Sequence, residues 1–204
     1  MRLSRALAYY SLRPAVRLGL SLAGGVRVEG EERVPLAGGL VVASNHLSLA
    51  DAVVLQACVP RILTYLMGEK FYHVPGIHQF VRFWGVLIVR ERGMSKDALR
   101  AAGEVLAAGG AVGVFPEGGI SRDGRVRPAQ PGAALIAQRA GVPILPVGLA
   151  GTERLLPPGS ARLHRARLGI CFGEPVIPCR EPRQALAGRL TAALRACAER
   201  ARQL

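Results

Sequence analysis

From Gly30 onward the chain alternates short apolar runs with stretches of helical periodicity, and this alternation restricts the fold more than any other feature. Leu40–Ala43, Ile62–Met67, Val86–Val89, Ala111–Phe115, Ile144–Leu149 and Ala166–Phe172 are short runs suited to strands. Between and after them, Leu49–Cys58, Ile77–Phe83, Lys96–Ala108, Gly132–Ala140 and Glu181–Arg202 carry helical patterns. Stop and start signals agree: Ser95 is placed to N-cap a helix, and Gly109 follows its end. Pro131 stands in the first turn of the next helix, with Gly141 beyond its last. Strands alternating with helices predict an α/β domain with a largely parallel or mixed sheet flanked by helices. At 204 residues the chain suffices for one domain with a substantial core. In such folds chemistry concentrates at strand ends, here the segments after Ala43, Val89, Phe115 and Leu149.

Residues 1–25 precede this pattern as an N-terminal amphipathic helical segment, leaving 26–204 as the main domain. Placed at about 100° per residue, Arg2, Arg5, Arg13 and Arg17 share one arc, whereas Leu3, Leu7, Tyr10, Leu18 and Leu22 fall mainly elsewhere. Pro14 predicts a break into two short helices. Two arrangements suit the pattern. One is a basic pair lying in a membrane interface, with Tyr9 and Tyr10 near headgroup depth; the other is a helix packed on the core with a solvated arginine face. No run reaches the ~18 uncharged apolar residues of a spanning helix, and the arginines interrupt any signal-peptide core.

The formal charge of +13, almost all of it arginine, implies a polyanionic partner: nucleic acid, an anionic membrane face or phosphorylated substrates. Nucleic acid is disfavoured because the arginines are dispersed and no helix-turn-helix, zinc-finger or aromatic RNA-binding signature is present. Cys58, Cys171, Cys179 and Cys197 form no CxxC pair and have no histidine at zinc spacing, so free thiols and no metal are expected.

After the first strand comes Ser44-Asn45-His46-Leu47-Ser48-Leu49-Ala50-Asp51. On an unbroken helix, residues five apart point about 140° away from each other. His46 and Asp51 therefore meet only if the chain turns between them, with Ser48 as the N-cap and Asp51 in the first helical turn. A carboxylate placed there holds the imidazole Nδ1–H and leaves Nε2 as a base. The same Ser48-x-x-Asp51 spacing also fits a capping box in which Asp51 serves only the helix. After another strand, Pro116-Glu117-Gly118-Gly119-Ile120-Ser121-Arg122-Asp123-Gly124 supplies backbone amides, a hydroxyl and a guanidinium suited to a phosphate, or a polar turn. Arg90-Glu91-Arg92 follows a third strand as a second source of positive charge.

Together these blocks resemble the glycerolipid acyltransferase family, whose best-known members are 1-acylglycerol-3-phosphate acyltransferases. Asn45-His46 through Asp51 match its NHxxxxD motif, and Gly85 to Arg92 resembles its arginine-bearing second block. Phe115-Pro116-Glu117-Gly118 through Ser121 resembles its F-P-E-G-T-R-S block, and Val142-Pro143-Ile144-Leu145-Pro146-Val147 its proline-bearing fourth. Two departures stand out. Gly119-Ile120 replace the usual Thr-Arg, and Glu91 occupies the second block's arginine position.

The resemblance implies an O-acyltransferase with His46 and Asp51 as catalytic residues. It places Arg90, Arg92, Glu117, Gly118, Gly119, Ser121 and Arg122 against the acceptor. It further implies direct transfer from acyl-CoA or acyl carrier protein to a lysophospholipid hydroxyl, most simply that of 1-acyl-sn-glycerol 3-phosphate, without metal or cofactor. The expected location is the cytoplasmic face of the cell membrane, as a peripheral or monotopic protein on an anionic surface. A different hydroxylated acceptor, or a catalytically silent lipid- or nucleic-acid-binding protein, is the alternative.

Overall fold

The computed structural model describes residues 3–68, 86–89 and 95–204. Among the described residues seven strands form one sheet: β1 (Val26–Glu29), β2 (Leu40–Ser44), β3 (Leu63–Gly68), β4 (Leu87–Val89), β5 (Ala111–Val114), β6 (Ile144–Ala150) and β7 (Leu168–Phe172). Their order across the sheet is β1-β7-β6-β2-β5-β3-β4. All pairings are parallel except β6 with β7, so the expected mixed α/β sheet forms. The helices are α1 (Leu3–Leu22), α2 (Asp51–Cys58), α3 (Lys96–Ala107), α4 (Pro131–Ala140), the single turn α5 (Thr152–Leu155) and α6 (Arg183–Gln203). The helix expected at Ile77–Phe83 lies outside the described residues.

Alternate residues of the strands feed two apolar layers. Leu40 and Val42 join α2, with Val16 and Leu20 of α1, on one face. Val41, Ala43, Val112 and Val114 meet α3, α4 and α6 on the other. Burial on both faces explains why the strands read as continuous apolar runs. Ala43 stands beside Val114 of β5 and Pro146 of β6, which makes β2 central and sets its C-terminal end between two neighbouring strand ends. Gly148 and Gly169 let α6 press onto β6 and β7, because a Cβ at either would occupy the backbone of Cys197 or Ala201.

The signals at α3 and α4 act as read. Ser95 Oγ accepts from Ala98 N–H at 3.1 Å. Pro131 opens α4, and Gly141 closes it in a left-handed conformation at φ 64°. Several bounds differ by a residue or two, as at the start of β7, where Leu168 rather than Ala166 is the first paired residue. The short β1 and the 3-10 turn Glu31–Arg33 were not expected from the pattern.

The N-terminal segment departs more. Pro14 lies inside one continuous helix instead of dividing two. A proline there costs ~3 kcal/mol, and anchors on both sides offset it. Tyr9 Oη donates to Val59 O at 2.6 Å, and Arg13 donates to Ala57 O at 3.0 Å and Cys58 O at 3.3 Å. These are carbonyls at the C-terminal end of α2, which has no further turn to satisfy them. The helix packs on the core through Tyr9, Val16 and Leu20, as one of the two expected arrangements has it, but without the solvated arginine face among its described side chains. Arg13 and Arg17 pair with Glu31 at 3.1 and 3.6 Å, while Leu7, Tyr10, Leu12, Leu18 and Leu22 are exposed. Tyr9, expected near headgroups, is buried. All four cysteines are free thiols, and burial pushes those of Cys58 and Cys197 up to about 11 and about 12.

Candidate active site

The candidate site occupies the C-terminal edge of β2, β5 and β6. Strand β2 is buried throughout and ends at Ser44, after which Asn45 fixes the exit of the chain. The Asn45 side chain is fully buried; its Oδ1 accepts from Leu149 N–H at 2.7 Å and its Nδ2 donates to Leu149 O at 3.0 Å. It thus ties the end of β2 to β6 and satisfies both of its own polar atoms.

His46 Nδ1 lies 2.8 Å from Asp51 Oδ2. The same oxygen accepts from Leu47 N–H at 2.6 Å and Ser48 N–H at 2.9 Å. Three donors therefore converge on one atom of a fully buried carboxylate, which sets its direction. The turn required between the two residues is present: Leu49 and Ala50 form it, and the α-helix proper begins at Asp51, not at Leu49. Ser48, expected as the N-cap, stands two residues before the actual one, Ala50, which has no side-chain cap; the Asp51 carboxylate that accepts from Ser48 N–H also holds the imidazole. The Ser48 hydroxyl is engaged elsewhere, donating to Leu156 O at 2.6 Å and accepting from Ala50 N–H at 3.1 Å.

The histidine is held from every other direction too. Its ring stacks on Phe115 with centroids 4.0 Å apart and planes inclined by 15°, and Tyr65 lies behind Phe115 at 6.2 Å. Its N–H donates to Glu117 Oε1 at 3.1 Å, and its carbonyl accepts from Ser121 N–H at 2.7 Å. Only 12% of the side chain is exposed, and no described residue bonds Nε2. Such an arrangement can accept a proton at Nε2 from a group arriving at the surface, with the ring's tautomer and tilt already set.

The predicted acceptor-binding residues separate into two groups. Glu117 is buried, and its second oxygen accepts from Arg127 N–H at 3.0 Å. Burial raises its pKa, against the lowering effect of the Arg127 and His46 amides. Both its oxygens hold backbone, so Glu117 clamps the loop after β2 to the loop after β5. The Ser121 hydroxyl donates within its own loop, to Asp123 Oδ1 at 2.8 Å and Arg125 O at 2.9 Å. Gly118 and Gly119 retain accessible backbone, and Gly118 at φ 77° leaves the space that the Gln130 amide fills. Arg122 is exposed, with no acidic partner among the described residues. Arg90 and Arg92 lie outside the described residues.

Sequence reasoning assigned no role to the Asn45 amide, the Phe115 ring or Glu117 as a clamp. A buried amide immediately after an apolar strand was a signal for the first, because it must find partners at a neighbouring strand end. The other two depend on contacts across some 70 residues of chain, which no local spacing encodes.

The chain is similar in sequence and fold to known proteins. The chain is 29% identical over 153 residues to the 1-acyl-sn-glycerol-3-phosphate acyltransferase BAT2 of Brassica napus chloroplasts, covering 73% of this chain and 44% of the relative. It is 26% identical over 163 residues to the 1-acyl-sn-glycerol-3-phosphate acyltransferase of Bacillus subtilis, covering 79% of each. The crystal structure of the 1-acyl-sn-glycerophosphate acyltransferase PlsC from Thermotoga maritima superposes with a TM-score of 0.79 at 28% identity, covering 96% of this chain and 80% of that one. The chain spans about half the length of the plant relatives it matches. The sequence profile of the Acyltransferase family matches residues 25–150, a stretch that contains His46, Asp51, Phe115 and Glu117, and the chain belongs to that family.

Proposed function

We propose that the protein transfers a fatty acyl group from a thioester donor, acyl-CoA or acyl carrier protein, to the free hydroxyl of 1-acyl-sn-glycerol 3-phosphate, giving phosphatidic acid. The observation that carries the reading is the His46–Asp51 couple at 2.8 Å, with Nε2 unbonded among the described residues. In this mechanism Nε2 takes the acceptor's hydroxyl proton as that oxygen attacks the thioester carbonyl. The C–O bond forms, the tetrahedral adduct collapses with cleavage of the C–S bond, and the leaving thiolate recovers the proton from the imidazolium. Asp51 stabilises the transient imidazolium. Ser48 is not a nucleophile, since its hydroxyl already serves two backbone partners. The reaction as written needs no metal or redox cofactor.

The acceptor and product are membrane lipids, and the exposed leucines of α1 support attachment at a bilayer surface, which we assign to the cytoplasmic face because the thioester donor is found there. No described helix is long and apolar enough to cross a membrane. A different lysolipid acceptor is the second reading, favoured by one observation: Ile120 stands where the family's third block carries an arginine.

The test is acyl transfer by purified protein from a radiolabelled donor to a panel of lysolipids, alongside His46→Ala. We expect labelled phosphatidic acid as the main product and a loss of at least about 100-fold in the variant. A variant that keeps more than about a tenth of wild-type activity rules out the general base. Preference for an acceptor without phosphate rules out the stated substrate but leaves the reaction class standing.

A further inference from the structure

We propose that the arginine surface built by the 122–127 loop and the last turns of α6 is the docking site of an acidic carrier protein that delivers the acyl thioester, an inference that rests on the acyl-transfer reading above. Arg195 Nε donates to Val126 O at 3.4 Å and Arg202 Nη2 to Gly124 O at 2.6 Å, so the end of the helix is joined to the loop. Seven residues apart, Arg195 and Arg202 lie two turns apart on one helix face. Arg122, Arg125 and Arg127 are exposed on the loop itself. The nearby acids are already engaged: Asp123 Oδ1 accepts from the Ser121 hydroxyl and from Arg125 N–H, and Glu199 pairs with Arg202 at 3.0 Å. Among the described residues no acidic side chain pairs with Arg122, Arg125, Arg127 or Arg195.

This surface adjoins the reacting histidine. Ser121 N–H bonds His46 O, and one carboxylate, that of Glu117, spans the amides of His46 and Arg127. Two features select the class of partner. First, α6 packs on the sheet face opposite to α1 and α2, so its arginines stand on the other face from the exposed leucines of α1, where a soluble partner has access. Second, the arginines extend over a loop and two helical turns, a footprint matched to an acidic protein surface rather than to a single phosphate ester.

The test uses the full chain with acyl carrier protein bearing a hexadecanoyl thioester, and with hexadecanoyl-CoA. Arg125→Glu/Arg195→Glu is expected to lower kcat/KM for the carrier thioester at least about tenfold, while leaving kcat/KM for the CoA donor and vesicle flotation within about twofold. Added salt should weaken the wild-type reaction with carrier more than that of the variant. If the double variant melts early, Arg125→Gln/Arg195→Gln should give a smaller loss confined to the carrier. Equal losses on both donors, or no loss, overturn the proposal. So does a loss of flotation on anionic vesicles with donor kinetics intact, which assigns the patch to the membrane. Wild-type protein active with the CoA donor but not the carrier overturns the docking site alone; inactivity with both sinks the acyl-transfer reading itself.

Discussion

One oxygen of Asp51 takes the His46 ring and two backbone amides together, and this makes charge separable from position. An asparagine can present its single carbonyl oxygen to the same three donors, so Asp51→Asn keeps the loop but removes the negative charge. We expect an unchanged fold by circular dichroism and a kcat about 10²–10⁴-fold lower; a kcat within about threefold of wild type would show that orientation alone is required. Glu117 gives the opposite case, because it uses both oxygens. In Glu117→Gln the amide nitrogen meets a backbone N–H, leaving a buried donor unsatisfied at a cost of about 1–3 kcal/mol. The expected signature is a fall in kcat with the acceptor KM held within about twofold; a rise in KM alone would return Glu117 to the substrate. Burial raises the Glu117 pKa, so the folded protein binds that proton more tightly than the unfolded chain does. The carboxyl's contribution to stability therefore falls as pH rises from the ordinary glutamate range through the raised pKa. The stability difference between wild type and Glu117→Gln should widen in favour of wild type as pH is lowered through that window, as read by denaturant midpoints. His46 and Asp51 were legible in the sequence because five residues of chain and one turn bring them together. The clamp was not, since Glu117 reaches His46 across 71 positions and its two partners are backbone amides.

Elements were legible where burial on both faces left a continuous apolar run, as in β2, β5 and β6, or where a cap marked an end, as Ser95 and Gly141 do. Strand β1 escaped because Val26–Glu29 is four residues of alternating character beside glycines, and only its pairing with β7 makes it a strand. Pro14 misled because local propensity was overridden by anchors from α2 that lie more than 40 residues away. The proline thus predicts a break that tertiary contacts prevent. Helix α6 shows how an element can act on a site it does not enter. It lies so close over β6 that Gly148 has no room for a Cβ, and the next residue, Leu149, holds both polar atoms of Asn45. Gly148→Ala should cost about 1–3 kcal/mol by overpacking and shift β6 relative to β2. The measurement pairs a thermal melt with kcat for the same variant. A wild-type melt would mean that α6 yields freely and that the glycine is not what sets its distance from the sheet.

At the scale of the molecule, the sheet divides the surface into two unlike faces, and the direction of α1 decides what one of them would offer to the membrane attachment proposed above. Arg13 and Arg17 are drawn inward by Glu31, and Arg13 also by the carbonyls of Ala57 and Cys58, so the large side chains that the helix leaves to solvent, among those described, are Leu7, Tyr10, Leu12, Leu18 and Leu22. Leu18 and Leu22 are 62% and 68% exposed, whereas Val16 and Leu20 on the same helix pack against the core. Attachment through this face should depend on buried apolar area more than on headgroup charge, reversing what an outward arginine face would imply. Deleting the helix would be a poor test, because Tyr9, Val16 and Leu20 belong to the packed structure. Substituting the exposed leucines is cleaner: Leu18→Asp/Leu22→Asp removes two insertion points without opening the core. We expect the variant to keep the wild-type melting temperature and to lose flotation with liposomes. Wild-type flotation should persist when sodium chloride is raised well beyond the level at which the ~8–10 Å screening length of physiological salt has shortened severalfold. With vesicle-bound acceptor the variant's activity should fall together with its flotation, and with acceptor below its micellar concentration the activity should recover. Flotation that survives the substitution but is abolished by salt would move the attachment from these leucines to the arginines elsewhere on the surface.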